Sequence, residues 1–117
     1  MVDLNSDKNC IFCKIIVHEV PSTIIAETNN IIVIKDLFPK APIHYLIIPK
    51  KHVQDIQSLH QDDVTLAGEM VLMAKQLSMG LDGSKAFRLV ANNGADAGQK
   101  VFHLHFHFLG GKKVTDF

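Results

Sequence analysis

His103-Leu104-His105-Phe106-His107-Phe108 sets three imidazoles in strict alternation with large apolar side chains. Successive side chains on a β-strand point to opposite faces, so Leu104, Phe106 and Phe108 are expected to enter a core while the histidines line the other side. The strand is expected over Val101 to Leu109. A solvated strand face normally carries Thr, Lys, Ser or Glu. Groups that titrate near neutral pH, repeating every ~6.6 Å along one row, point instead to chemistry. Two chemistries fit such a row. Either the imidazoles ligate a metal, or one is a nucleophile whose neighbours orient it and the substrate.

The stretch just upstream, Asn92-Asn93-Gly94-Ala95-Asp96-Ala97-Gly98-Gln99-Lys100, reads as a loop. Gly94 and Gly98 can take positive φ and bring backbone N–H groups close to an anion. Alone, such a loop is an ordinary turn; beside three histidines it places phosphate donors next to nucleophiles. It lacks the Gly-Lys-Ser/Thr ending of a Walker loop.

Farther out, β-branched runs over Ile24 to Ala26 and Ile31 to Lys35 flank Thr28-Asn29-Asn30, the pattern of a hairpin. His44 to Ile48, closed by Pro49, and Ala86 to Ala91 are further strands. Ile11 to Ile16 reads as a short helix ended before Val20-Pro21, and Asp62 to Met79 as a long one. The long helix opens on two aspartates, which favour its positive end, and Gly80 is its C-cap candidate. Val64, Ala67, Val71 and Ala74 mark one apolar face, and Leu66, Met70, Met73 and Leu77 another. Two stripes imply burial on both sides, against the chain's own sheet and a partner subunit. Strands joined mostly by hairpins, with two helices, give an antiparallel α+β domain rather than a doubly wound sheet.

The chain has 117 residues, enough for one domain with its own core, expected over 1–117 with residues 1–8 a polar leader. Twelve Lys plus Arg balance twelve Asp plus Glu, without a basic run longer than a pair such as Lys50-Lys51, which argues against a nucleic-acid partner. The start, Met1-Val2-Asp3-Leu4-Asn5, lacks an apolar targeting segment, and no spanning run follows, so a cytoplasmic protein without a membrane partner is expected. The two cysteines, Cys10 and Cys13, form one Cys-x-x-Cys; in a reducing compartment this is a redox pair or half a metal site before it is a structural bridge.

Gly98 to Gly111, with Gln99-x-Val101-aromatic before the histidines and Gly110-Gly111 after them, resembles the signature of the histidine triad (HIT) superfamily, His-φ-His-φ-His-φ-φ, in its nucleotide-binding HINT branch. Asp36 to Pro39, then Ala41 to His52, is similar to that branch's second block, and Ile11 to Ile16 followed by Pro21 to its first. The resemblance runs in order along nearly the whole chain. It implies a five-stranded antiparallel sheet with two helices, and a homodimer joined through the long helix and a strand into a ten-stranded sheet. It also implies a purine nucleoside phosphoramidase that cleaves adenosine 5′-phosphoramidates, or acyl-adenylates, to AMP.

By position, His105 is then the nucleophile, His107 holds the phosphoryl oxygens, and His103 completes the catalytic row. Asn92 and the backbone N–H groups of Gln99, Lys100 and Val101 would take the α-phosphate, and Asp36 the ribose hydroxyls. Ile11, Phe12, Ile15, Ile34 and Leu37 would form the slot for the base. Lys100 departs from the serine of many eukaryotic members, and the tail stops at Phe117, shorter than tails that reach a partner's site. Zinc-bearing relatives imply one structural Zn²⁺ per chain on Cys10, Cys13, His44 and His103, with no catalytic cofactor. The competing functions are a dinucleoside polyphosphate hydrolase, to which Lys100 gives some room, and a nucleotide-binding regulatory or scaffold dimer. An enzyme using all three triad histidines on one iron or zinc is a fourth reading.

Overall fold

Alternating β-branched runs pair into one antiparallel sheet in the computed structural model, which describes residues 7–83 and 85–111. The chain runs α1 (Ile11–Ile16), β1 (Ile24–Glu27), β2 (Ile31–Lys35), β3 (Ile43–Pro49), α2 (Val64–Ser78), β4 (Phe87–Val90) and β5 (Phe106–Gly110), with 3₁₀ turns at Ile56–Ser58, Gln61–Asp63 and Ala95–Ala97. The five strands lie in the order β1-β2-β3-β5-β4, every neighbouring pair antiparallel. This is the α+β architecture expected from the sequence. Of the expected leader, only Asp7 and Lys8 fall among the described residues, and the tail beyond Gly111 lies outside them. No described helix is long and apolar enough to cross a membrane.

Period-two alternation sends side chains to both faces of the sheet. On one face Ile31, Val33, Ile47, Leu104 and Phe108 pack against Met70, Met73 and Ala74 of α2. On the other, Ile32, Ile34, Leu46 and Ile48 pack against Phe12, Cys13 and Ile15 of α1. A six-residue helix has no stability of its own, so α1 exists because this face holds it. It covers only the β2–β3 end and leaves the β5–β4 end open.

Several expectations shift. The division of α2 falls elsewhere: Leu66, Met70, Met73, Ala74 and Leu77 face the core, whereas Val64, Val71, Leu72 and Met79 form the outer stripe. Ala74 therefore belongs to the inner face, because its position continues the Met70–Leu77 side of the helix. Gly80 does not take a left-handed cap; the helix ends in tight turns, with the Met79 and Gly80 amides donating to the carbonyls of Gln76 and Leu77.

The largest correction concerns the histidine strand, which starts only at Phe106. Upstream, the Leu104 amide donates to the Val53 carbonyl at 2.6 Å and the His103 ring to the Pro49 carbonyl at 2.7 Å, so this stretch is tied to the β3 exit rather than to a ladder. The alternation of faces survives nonetheless. Leu104, Phe106 and Phe108 face the α2 side, as expected. The imidazoles do not form a solvated row: His103 is fully buried and His105 is only 8% exposed.

Candidate active site

Register places side chains in two rows across the α1-side face of the sheet. Ile34 of β2 pairs with Leu46 of β3, Leu46 with His107 of β5, and His107 with Val90 of β4. One step along, His44 of β3 pairs with Leu109 of β5, and Leu109 with Arg88 of β4. Above them lies a cleft of about 720 Å³. Of the residues expected to hold a nucleotide, Ile11, Phe12, Ile15, Ile34, Asp36, Leu37, Asn92, Lys100, Val101, His105 and His107 all line it.

Gln99 does not line the cleft, and its expected role changes. Its side chain is buried as a clamp: Oε1 accepts from the Gly94 amide at 2.8 Å, and Nε2 donates to the carbonyls of Gln54 at 2.8 Å and Val101 at 3.0 Å. Its own amide donates to the Gly94 carbonyl at 3.1 Å and so is not available to an anion. Gly94 and Gly98 both sit at positive φ, +93° and +98°, as the loop reading required. The clamp thus shapes the loop, and of the three amides expected to face an anion those of Lys100 and Val101 remain, at residues that line the cleft with Asn92.

Hydrogen bonds to the backbone fix which nitrogen of His44, His103 and His105 carries the proton. His105 Nδ1 lies 2.7 Å from the His103 carbonyl, which can only accept, so Nδ1 is the N–H and Nε2 keeps its lone pair. Burial pushes the His105 pKa below its ordinary value, which keeps that lone pair free at neutral pH. Phe12 packs edge-on against His105 at 5.1 Å between ring centres and against His103 at 5.8 Å, so α1 holds both rings in place.

His44 works the other way round. The Lys40 amide donates to its Nδ1 at 3.0 Å, so its proton sits on Nε2. That Nε2 lies 2.9 Å from His107 Nδ1 and 3.3 Å from Asp36 Oδ2. His107 Nδ1 must therefore be the acceptor, and the His107 proton lies on Nε2. Burial first, then the neighbouring His105 and His44, lowers the His107 pKa to about 4, so the ring is a neutral donor. Asp36 also accepts from the Phe38 amide at 2.8 Å, which fixes the loop after β2.

The thiols gather a different set. Cys10 Sγ lies 3.3 Å from His103 Nδ1, and Cys13 Sγ lies 3.6 Å from His103 Nδ1 and 3.3 Å from His52 Nδ1. His52 Nδ1 and His103 Nδ1 are 3.1 Å apart. Tetrahedral Zn²⁺ with S and N ligands needs donor–donor separations of roughly 3.3–3.8 Å, close to what is found. His103 Nε2 donates to the Pro49 carbonyl at 2.7 Å, leaving Nδ1 as a lone pair aimed at the thiols. A metal-bound imidazole usually makes such a bond to a backbone carbonyl. Burial pushes the Cys13 thiol up to about 11, so a thiolate on Cys13 calls for a cation beside it.

His52, not His44, thus completes the sulfur cluster. The ring of His44 lies with Asp36 and His107 instead, and its Nε2 bears a proton where a metal would need a lone pair. The same objection removes the Asp36–His44–His107 group as a metal site. His103 turns away from the cleft toward the thiols, and its expected place in the catalytic row is corrected accordingly. Sequence reasoning did not single out His52, whose signal was its place three residues after Pro49, on the chain leaving β3. It also passed over Arg88, Val90, Leu46, Leu109 and Lys40, which line the cleft.

The family model for the scavenger mRNA decapping enzyme C-terminal binding domain matches residues 9–117. A HIT-like protein of Synechocystis is 44% identical over 108 residues, covering 92% of this chain and 95% of the relative. The chain belongs to the HIT family. A HIT family hydrolase from Legionella pneumophila, known by crystal structure, superposes with a TM-score of 0.87 at 43% identity, over 92% of this chain and 96% of that one. A zinc-bound histidine triad family protein from Mycobacterium smegmatis superposes with a TM-score of 0.76 at 30% identity, over 89% and 76%. The HIT fold thus accommodates a zinc-bound form.

Proposed function

We propose that this HIT protein is a hydrolase of purine nucleoside phosphoramidates, acting through a nucleotidyl group carried on His105. The single observation that carries the reading is the bond from His105 Nδ1 to the His103 carbonyl, which frees Nε2 at the cleft. The His105 Nε2 lone pair attacks the α-phosphorus, and the P–N bond breaks as the leaving nitrogen takes a proton. Water then attacks the phosphorus, releases His105 and yields AMP, so one water is consumed per turnover. The His107 Nε2–H and the amides of Lys100 and Val101 are the donors available to the phosphoryl oxygens as charge develops. Asn92 adds a side-chain amide, Asp36 faces the ribose, and Ile11, Phe12, Ile15, Ile34 and Leu37 supply the apolar slot for the base. The relationship to a HIT family hydrolase supports hydrolysis as the reaction class.

Cys10, Cys13, His52 and His103 would hold a structural Zn²⁺, which the kinship with a zinc-bound relative supports. Bound there, zinc ties α1, the β3 exit and the histidine segment together. Four protein ligands leave no position for a reacting water, so the chemistry stays with His105. The outer stripe of α2 supports a homodimer, because Val64 and Leu72 are 70% and 62% exposed on an apolar face.

Substituting His105→Ala tests the function directly. Turnover of an adenosine 5′-phosphoramidate is expected to fall at least about 10³-fold, with AMP binding retained. Turnover equal to wild type would remove His105 as the nucleophile. Wild type that binds AMP and does not cleave the amidate would leave a nucleotide-binding module.

A further inference from the structure

The apolar slot of the cleft is dry at its base and open at its mouth. Phe12, Ile15, Ile34 and Leu46 are already buried in the core under α1, so a ligand removes little further water from them. The large apolar side chains at the cleft that remain exposed are Ile11, Leu37 and Phe38, and the burial gained when a base enters lies mostly with them. Leu37 and Phe38 are 83% and 78% exposed, more than any other large apolar side chain among the described residues.

The loop that carries these two is held in place. Asp36 donates its amide to the His44 carbonyl at 3.0 Å and accepts from the Phe38 amide at 2.8 Å, and the Lys40 amide donates to the His44 ring at 3.0 Å. Pro39 and Pro42 restrict the rest. Fixing two apolar side chains in water costs conformational entropy and adds nothing to the core, so their burial has to come from a ligand. Of the two phenylalanines at the cleft, Phe12 is buried with its ring edge-on to His103 and His105, whereas Phe38 stands at the mouth in solvent. Phe38 follows Asp36, the acid facing the ribose, by two residues, which brings a base on that ribose within reach of its ring. An exposed aromatic face suits another flat ring.

We propose that Phe38 is a specificity-determining residue of this site, stacking on the solvent side of the base and so favouring purine over pyrimidine nucleotides. The inference rests on the nucleotidyl-transfer reading above and deepens it. Two fused rings cover more of the Phe38 ring, and reach farther toward Ile11, than one ring does.

Adenosine and uridine 5′-phosphoramidates of one amine, which differ only in the base, test it. Phe38→Ala is expected to raise KM for the adenosine compound about tenfold with kcat within about twofold, and KM for the uridine compound by less than about threefold. The adenosine-to-uridine ratio in kcat/KM then falls at least about threefold. The side chain is exposed, and the Phe38 amide keeps its bond to Asp36 whatever residue stands there, so the loop survives the change. Phe38→Trp is expected to hold the ratio at or above wild type. The chain has no tryptophan of its own, so that indole is a sole reporter, and AMP is expected to quench its fluorescence. A ratio unchanged in Phe38→Ala, an equal fall in kcat for both compounds, or an indole unmoved by saturating AMP overturns the proposal while leaving the phosphoramidase standing. Should wild type cleave neither compound, the catalytic reading fails instead. Binding of AMP and UMP to wild type and Phe38→Ala, compared by calorimetry, then decides the base preference by the same ratio, and no binding of AMP overturns it.

Discussion

At the scale of single residues, the site is organised by which nitrogen carries a proton. Three backbone partners settle three rings: the Lys40 amide for His44, the Pro49 carbonyl for His103 and the His103 carbonyl for His105. Two of these rings present a lone pair, one to the thiols and one to the cleft; the third presents an N–H. This places His52 rather than His44 with the thiols, and the zinc site proposed there is testable. His52→Asn is expected to purify with well under about one zinc per chain, whereas His44→Asn keeps its zinc and loses activity through His107. Atomic absorption on both variants checks it, and zinc lost from His44→Asn but kept by His52→Asn would reverse it. The sequence could not make the distinction. Both histidines lie in the same block, and the choice depends on which backbone groups the folded chain brings to each ring.

At the scale of elements, α1, the hairpin and the bounds of β1 to β4 were legible because period and turn chemistry are local signals. Ile11–Ile16 appears with the expected bounds, and Thr28 closes the β1–β2 turn, its amide donating to the Ile31 carbonyl at 2.8 Å. The histidine strand was overextended because alternation reports which face a side chain meets, not whether its backbone joins a ladder. The Gln99 amide was expected to face an anion for a related reason: the sequence marks a loop but not which of its amides are spent on the loop's own turn, as this one is on the Gly94 carbonyl. Two elements bear on assembly. The outer stripe of α2 and the edge strand β4, where Phe87 is partly exposed, are expected to bury each other's apolar surface in a homodimer. Sedimentation should give the mass of two chains for wild type and of one for Leu72→Glu. A wild-type monomer would contradict this reading.

At the scale of the whole molecule, the fold spends buried space on neutral histidines, and its stability inherits their titration. Burial lowers the pKa of His44, and it lowers that of His107 from an ordinary 6.5 to about 4. Below 6.5 the unfolded chain takes up protons that the folded chain refuses until about 4, so the unfolded state binds more protons and stability falls as pH drops through that interval. Between pH 7 and pH 5 the loss from His107 is on the order of 2 kcal/mol, read as a lower urea midpoint. A midpoint that stays level or rises on acidification would refute it. The antiparallel α+β class, the turning of Leu104, Phe106 and Phe108 toward α2 and most of the residues around the cleft follow from the strand pattern and the resemblance together, whereas the strand order and the second core under α1 do not. The far wall of the cleft does not either, because only the pairing of β4 with β5 brings Val90 beside His107 and Arg88 beside Leu109.

The central claim is that His105 carries the nucleotidyl group, and a single-turnover reaction with a slow adenosine phosphoramidate, quenched and mapped by mass spectrometry, tests it most directly. The account expects one nucleotidyl adduct, on the peptide bearing His105, forming and decaying at rates that reproduce turnover. An adduct on His103, on His107 or on no histidine while AMP is still released would contradict it.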